Sequence, residues 1–123
     1  MPPRAPDLPA MATEISPEKL AELKALGGDA LITKLLSKFI ENSAKLIADA
    51  KTALGTNDAQ KVDYCVHTLK GSAMSLGLNS MSAILIDLNV RTKSQNLANA
   101  GADLDQLEKL LEEVKTYKAA AFP

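Results

Sequence analysis

Apolar residues recur three and four positions apart along most of this chain, the spacing that lines one face of an α-helix. The longest run takes in Leu31, Ile32, Leu35, Leu36, Phe39, Ile40, Leu46, Ile47, Ala50 and Leu54. It predicts an amphipathic helix that starts near Asp29 and ends at Gly55. A shorter face of Leu20, Leu23 and Leu26 precedes it, between Ser16-Pro17-Glu18 and Gly27-Gly28. Ser16 suits an N-cap, Pro17 the first turn, and Glu18 the positive end of the helix dipole. A third helix, capped by Asn57 or Asp58, is expected to run to about Leu76 and stop at Gly77. Asn79 or Ser80 opens a fourth, with Met81, Ile84, Leu85 and Leu88 inward. The polar stretch 92–101 reads as a loop. Asp103 then begins a last helix with Leu104, Leu107, Leu110, Leu111 and Val114 on one side. No segment alternates with the period of a strand. Short loops between long helices make neighbours antiparallel. The expected fold is therefore all-α: an antiparallel up-down four-helix bundle with a short additional N-terminal helix.

Length limits this to one domain, since 123 residues leave little for a second. Pro2, Pro3, Pro6 and Pro9 crowd the start, and proline opposes regular structure both at its own position and at the one before. Residues 1–12 are expected to form a flexible tail and 13–121 the bundle. Aromatic residues are limited to Phe39, Phe122, Tyr64 and Tyr117; a core dominated by Leu, Ala and Ile favours helix.

Charge narrows the function. With 14 basic and 15 acidic residues the net charge is -1, and no basic stripe marks a nucleic-acid site. No apolar run approaches the ~18 residues of a membrane span, and Met1 to Met11 contains no continuous apolar segment of the kind a signal peptide needs. The single cysteine, Cys65, has no partner for an intrachain disulfide. With neither a span nor an apolar leader the default expectation is the cytoplasm, without nucleic-acid or membrane partners.

The chemistry falls to the third helix because the only histidine, His67, lies there. At about 100° per residue, Val62, Cys65, Val66, Leu69, Ala73 and Leu76 share one stripe, and His67 sits about 150° from its middle. That argues against a buried structural histidine. A plain surface histidine is the remaining bland reading, and its neighbours weigh against it. Lys70 and Gly71 follow at i+3 and i+4, on the same patch of helix surface. Lys70 brings a positive charge and up to three donors. A glycine inside a helix costs about 1 kcal/mol relative to alanine, so Gly71 needs a reason; here it clears bulk from beside the imidazole. Tyr64, Met74 and, if the helix geometry continues past Gly77, Leu78 project to the same side, as the apolar rim of a docking surface.

Other chemistries lack parts. One histidine and one cysteine on opposite sides of a helix make neither a metal site nor a Cys–His nucleophile. Di-iron Glu-x-x-His repeats need a second histidine. Gly27-Gly28 lacks the Lys-Ser/Thr of a P-loop, so the chain carries no nucleotide site of its own.

His67-Thr68-Leu69-Lys70-Gly71-Ser72-Ala73, followed by Leu76-Gly77, resembles the signature of histidine-containing phosphotransfer (HPt) domains. Leu23 to Ile32, with Gly27-Gly28-Asp29, and Phe39 are similar to the family pattern too, and the likeness spans about Ile15 to Tyr117. The resemblance implies a phosphorelay intermediate that is phosphorylated on His67, with Lys70 supporting the phosphoryl group and Gly71 leaving room for the partner. It implies receiver domains of response regulators and hybrid histidine kinases as partners. An imidazole, with a reference pKa of about 6.5, is largely neutral near pH 7 and can attack an acyl phosphate. Phosphoryl transfer asks for positioning and charge stabilisation above all. This chain is expected to be a carrier, not an enzyme, with no cofactor of its own and with Mg²⁺ on the receiver. A bundle that closes alone favours a monomer. Many family members carry Leu-Glu on the fourth helix where this chain reads Leu88-Asn89, which puts a carboxylate role there in doubt. Three other readings compete: a non-catalytic helical adaptor, a detached phosphorylatable domain of a chemotaxis-type kinase, and the dimerising helical domain of a histidine kinase.

Overall fold

Four helices make up the regular structure of residues 15–122, the part of the chain described by the computed structural model. They are α1 (Pro17–Gly55), α2 (Ala59–Ser75), α3 (Asn79–Lys93) and α4 (Ala100–Ala121). The tail expected over 1–12 lies outside the described residues.

The short first helix and the long second one are two arms of α1. Gly28 separates them with φ 69° and ψ -164°, a left-handed backbone that L side chains rarely adopt. Ser16 caps the first arm, accepting from the Lys19 amide at 3.4 Å. Leu23 is buried, but Leu26 is exposed. Two steps of three residues turn Leu26 about 120° away from Leu20, off the face that packs.

Each helix packs against its neighbours in chain order, and α4 closes on α1; the backbones of the diagonal pairs stay further apart. That ring is the four-helix bundle. Its core holds the stripe expected on α2, with Val62, Cys65, Val66, Leu69, Ala73 and Leu76 all buried. Ile32, Leu36, Phe39 and Ile47 face it from α1, Met81, Leu85 and Leu88 from α3, and Leu104, Leu107 and Val114 from α4. No helix among the described residues is long and apolar enough to cross a membrane.

The junctions carry the differences from sequence. Asp58 caps α2 through its side chain, accepting from the Lys61 amide at 3.1 Å. Helix α3 begins at Asn79 without a side-chain cap. Helix α4 starts at Ala100, ahead of Asp103. Asp103 instead receives Arg91 Nη2 at 2.6 Å, while Arg91 Nη1 donates to the Ala98 carbonyl at 3.0 Å. Thr92, expected in the loop, belongs to the last turn of α3 and is buried.

Gly77 ends α2. Its amide bonds the Met74 carbonyl at 3.1 Å, and the Leu78 amide bonds the Ala73 carbonyl at 3.0 Å, the paired bonds of a Schellman turn. The turn needs φ 67° at Gly77. It redirects the chain, so Leu78 does not continue the α2 projection: it is fully buried, packed with the core. Leu78 therefore leaves the set of docking residues expected from sequence.

Gly77 also seats the first arm of α1. Its carbonyl accepts the Ser16 amide at 3.1 Å, and a Cβ there would stand 2.6 Å from Ser16 Oγ. Gly77→Ala should therefore combine a left-handed backbone penalty of about 1–2 kcal/mol with displacement of the arm. A denaturant titration should show a midpoint lowered by at least that free energy with an unchanged slope.

Candidate functional site

Helix α2 presents His67 on the side away from the core, and the ring is exposed. The same 100° steps that bury Val66 and Leu69 turn His67 outward. Lys70 is half-buried one turn on, and among the described residues its ammonium has no ion pair or hydrogen bond. Gly71 is exposed, and a Cβ built there meets nothing within 4 Å. Nothing among the described residues requires a glycine at that position. The nearby hydroxyls are bonded back to their own helix: Thr68 donates to the Tyr64 carbonyl at 2.9 Å and Ser75 to the Gly71 carbonyl at 2.8 Å.

The structure brings His67, Lys70, Gly71, Tyr64 and Met74 onto one surface, with Tyr64 66% and Met74 51% exposed. Leu78 is not part of it. Helix α3 adds two apolar residues that the sequence reading assigned no role, Ile86 and Val90, at 45% and 65% exposure. They lie four apart on one side of α3, turned away from the Met81, Leu85 and Leu88 face that packs in the core.

A polar cluster joins α2 to α3 beneath the imidazole. Asn89, 1% exposed, sets its Oδ1 3.5 Å from His67 Nδ1. Asn89 Nδ2 donates to Asp63 Oδ1 at 3.0 Å and approaches Thr92 Oγ1 at 3.4 Å. The Thr92 hydroxyl donates to the same Asp63 oxygen at 2.7 Å. Sequence reasoning noted Asn89 only as a departure from a Leu-Glu pair and missed Asp63 and Thr92. One signal was present: Asp63 precedes His67 by four residues, one helical turn.

Cys65 is buried on the opposite stripe, and burial pushes its thiol pKa up. It stays protonated and out of reach of His67. Among the described residues no three His, Cys, Asp or Glu side chains converge to hold a metal ion.

The sequence model of the Hpt domain family matches residues 34–117. Histidine-containing phosphotransfer protein 2 of Arabidopsis thaliana is 30% identical over 105 residues, which cover 80% of this chain and 67% of that protein. The crystal structure of histidine-containing phosphotransfer protein B (HptB) from Pseudomonas aeruginosa PAO1 superposes with a TM-score of 0.78 at 22% identity, covering 87% of this chain and 93% of that one. At that identity the superposition speaks for the helical bundle.

Proposed function

This chain belongs to the Hpt domain family, a family of phosphorelay carriers, and on that premise we propose that His67 exchanges a phosphoryl group with an aspartate on a receiver domain. The partner is a response regulator or a hybrid histidine kinase. One observation carries the reading: the only histidine is exposed on a helix of a closed bundle, beside a Lys70 ammonium with no partner among the described residues and a glycine at which a Cβ would meet none of them within 4 Å.

In the forward direction a ring nitrogen attacks the phosphorus of the aspartyl phosphate. The Lys70 ammonium supports the phosphoryl oxygens as charge shifts, and Gly71 lets the receiver's loops close on the ring. Tyr64, Met74, Ile86 and Val90 supply apolar contact around the polar centre, which suits a docking face. Among the described residues no three His, Cys, Asp or Glu side chains converge on a metal site, and in this reading the Mg²⁺ and most of the catalytic groups come with the receiver. In this reading the chain is a carrier whose chemistry is completed by the receiver, and four helices that close on one another support a monomer.

The test is transfer from a phosphorylated receiver, followed by acid and base treatment of the labelled chain. Label that is lost in acid and kept in base identifies a phosphohistidine. Receiver binding without any label would favour the adaptor reading instead. Lys70→Ala should slow transfer by about 10–100-fold, the equivalent of losing a charged hydrogen bond of about 1.5–3 kcal/mol. Its thermal midpoint should stay close to the parent's, since the ammonium makes no ion pair or hydrogen bond among the described residues. Single-turnover transfer rates for the two proteins measure the effect, and equal rates would remove Lys70 from the mechanism.

A further inference from the structure

Asp63 lies one turn before His67 and does not touch it; its partners are Asn89 and Thr92. The donor and acceptor inventory of this cluster has one consistent solution. An ionised carboxylate only accepts. The Thr92 hydroxyl has one hydrogen, and Asp63 Oδ1 at 2.7 Å is a nearer and more charged acceptor than the Asn89 carbonyl at 3.2 Å. That leaves the Thr92 oxygen free to accept. The two hydrogens of Asn89 Nδ2 are then directed to Asp63 and to Thr92. Flipping the Asn89 amide would set its carbonyl oxygen against a carboxylate oxygen at 3.0 Å, two acceptors with no hydrogen between them. Asn89 Oδ1 therefore faces the ring, where it can only accept. The hydrogen of neutral His67 is drawn to Nδ1, and the lone pair is left on Nε2.

We propose that Asp63, assisted by Thr92, is a positioning residue for the transfer: it locks the Asn89 amide so that His67 is held as its Nδ1–H tautomer with Nε2 as the nucleophile. This inference rests on the carrier role of His67. In the step it supports, the Nε2 lone pair forms the N–P bond. The bond from phosphorus to the aspartyl oxygen breaks, and its electron pair leaves on the receiver's carboxylate. The ring gains one positive charge, spread over both nitrogens, and the hydrogen stays on Nδ1, directed at Asn89 Oδ1, throughout. No proton has to leave. Asn89 is a neutral acceptor in the first position, and the compensating carboxylate stands one residue further out.

Because His67 is the only histidine, one imidazole dominates a long-range ¹H–¹⁵N correlation spectrum of the untagged chain, recorded where the ring is neutral. The wild type should show the Nδ1–H pattern. Asp63→Ala and Thr92→Val should each move it toward the Nε2–H form that a free imidazole side chain prefers. Asp63→Ala should also slow transfer by about tenfold, the scale of one net hydrogen bond, with receiver affinity unchanged. Helicity and thermal midpoint, measured alongside, identify a variant that has merely lost its fold, and a folded Thr92→Val then decides alone. An Nε2–H pattern in the wild type overturns the proposal without any variant. So does an unchanged tautomer in both folded variants. These spectra are taken on unphosphorylated protein, so failure of the carrier role, seen as label persisting in His67→Gln, is read separately.

Discussion

His67→Gln should fold as the parent does and take up no phosphoryl group. The parent ring is exposed and makes one marginal side-chain contact, 3.5 Å to Asn89. Glutamine is a good helix former and can still offer an amide hydrogen toward Asn89 Oδ1. Surface changes of this kind usually shift stability by no more than about 0.5 kcal/mol. Transfer, by contrast, should fall to background, because the chain contains no second imidazole and an amide nitrogen is not a nucleophile for phosphorus. Circular dichroism and a thermal melt would establish the fold, and incubation with a phosphorylated receiver would establish the loss. Clear labelling of the variant would sink the assignment of His67.

The second large effect is expected at Gly71, where stability and function should move in opposite directions. A Cβ at Gly71 meets nothing within 4 Å, and the residue lies inside α2. Gly71→Ala should therefore gain up to about 1 kcal/mol from helix propensity, a rise of up to roughly 4 °C in the thermal midpoint for a domain of this size. In transfer the same space belongs to the receiver. Gly71→Gln adds a long side chain beside the reacting nitrogen, and a misplacement of about 1 Å can cost about a hundredfold in rate. The expected result is transfer slowed about a hundredfold for Gln and less for Ala, with both variants at least as stable as the parent. Melting curves and single-turnover rates on the same preparations test it. A Gly71→Gln chain that transfers at the parental rate would show that no partner approaches that point.

Much of this architecture was legible in the hydrophobic pattern. Periodicity alone named the buried stripe of α2 residue by residue and turned His67 outward, because a regular helix converts spacing into direction without help from the rest of the fold. The glycines at 28 and 77 marked the breaks for a similarly local reason, as few other residues tolerate their backbone angles. The motif around His67 carried the family likeness, since Lys70 and Gly71 reach the histidine within one turn of the same helix.

Where the chain changes direction, local rules ran out. Leu78 extrapolates to the histidine side only on a helix that continues, and the Schellman turn at Gly77 sends it into the core instead. Thr92 reads as a loop residue by polarity, yet it is buried because Asp63 waits for its hydroxyl across the α2–α3 interface. Ile86 and Val90 lie off the inward face of Met81, Leu85 and Leu88, and their exposure shows only in the folded chain. The environment of the imidazole belongs to the same class. Asp63, Asn89 and Thr92 are 26 and 29 positions apart in the chain across their two contacts, and hydrogen-bond direction in a buried cluster follows from which groups meet, not from what each is. Sequence therefore determined the helices and the exposed histidine, through interactions within one or two turns. Packing of α3 on α2 decided which nitrogen of that histidine faces outward, because only there do a carboxylate, an amide and a hydroxyl leave a single arrangement of hydrogens.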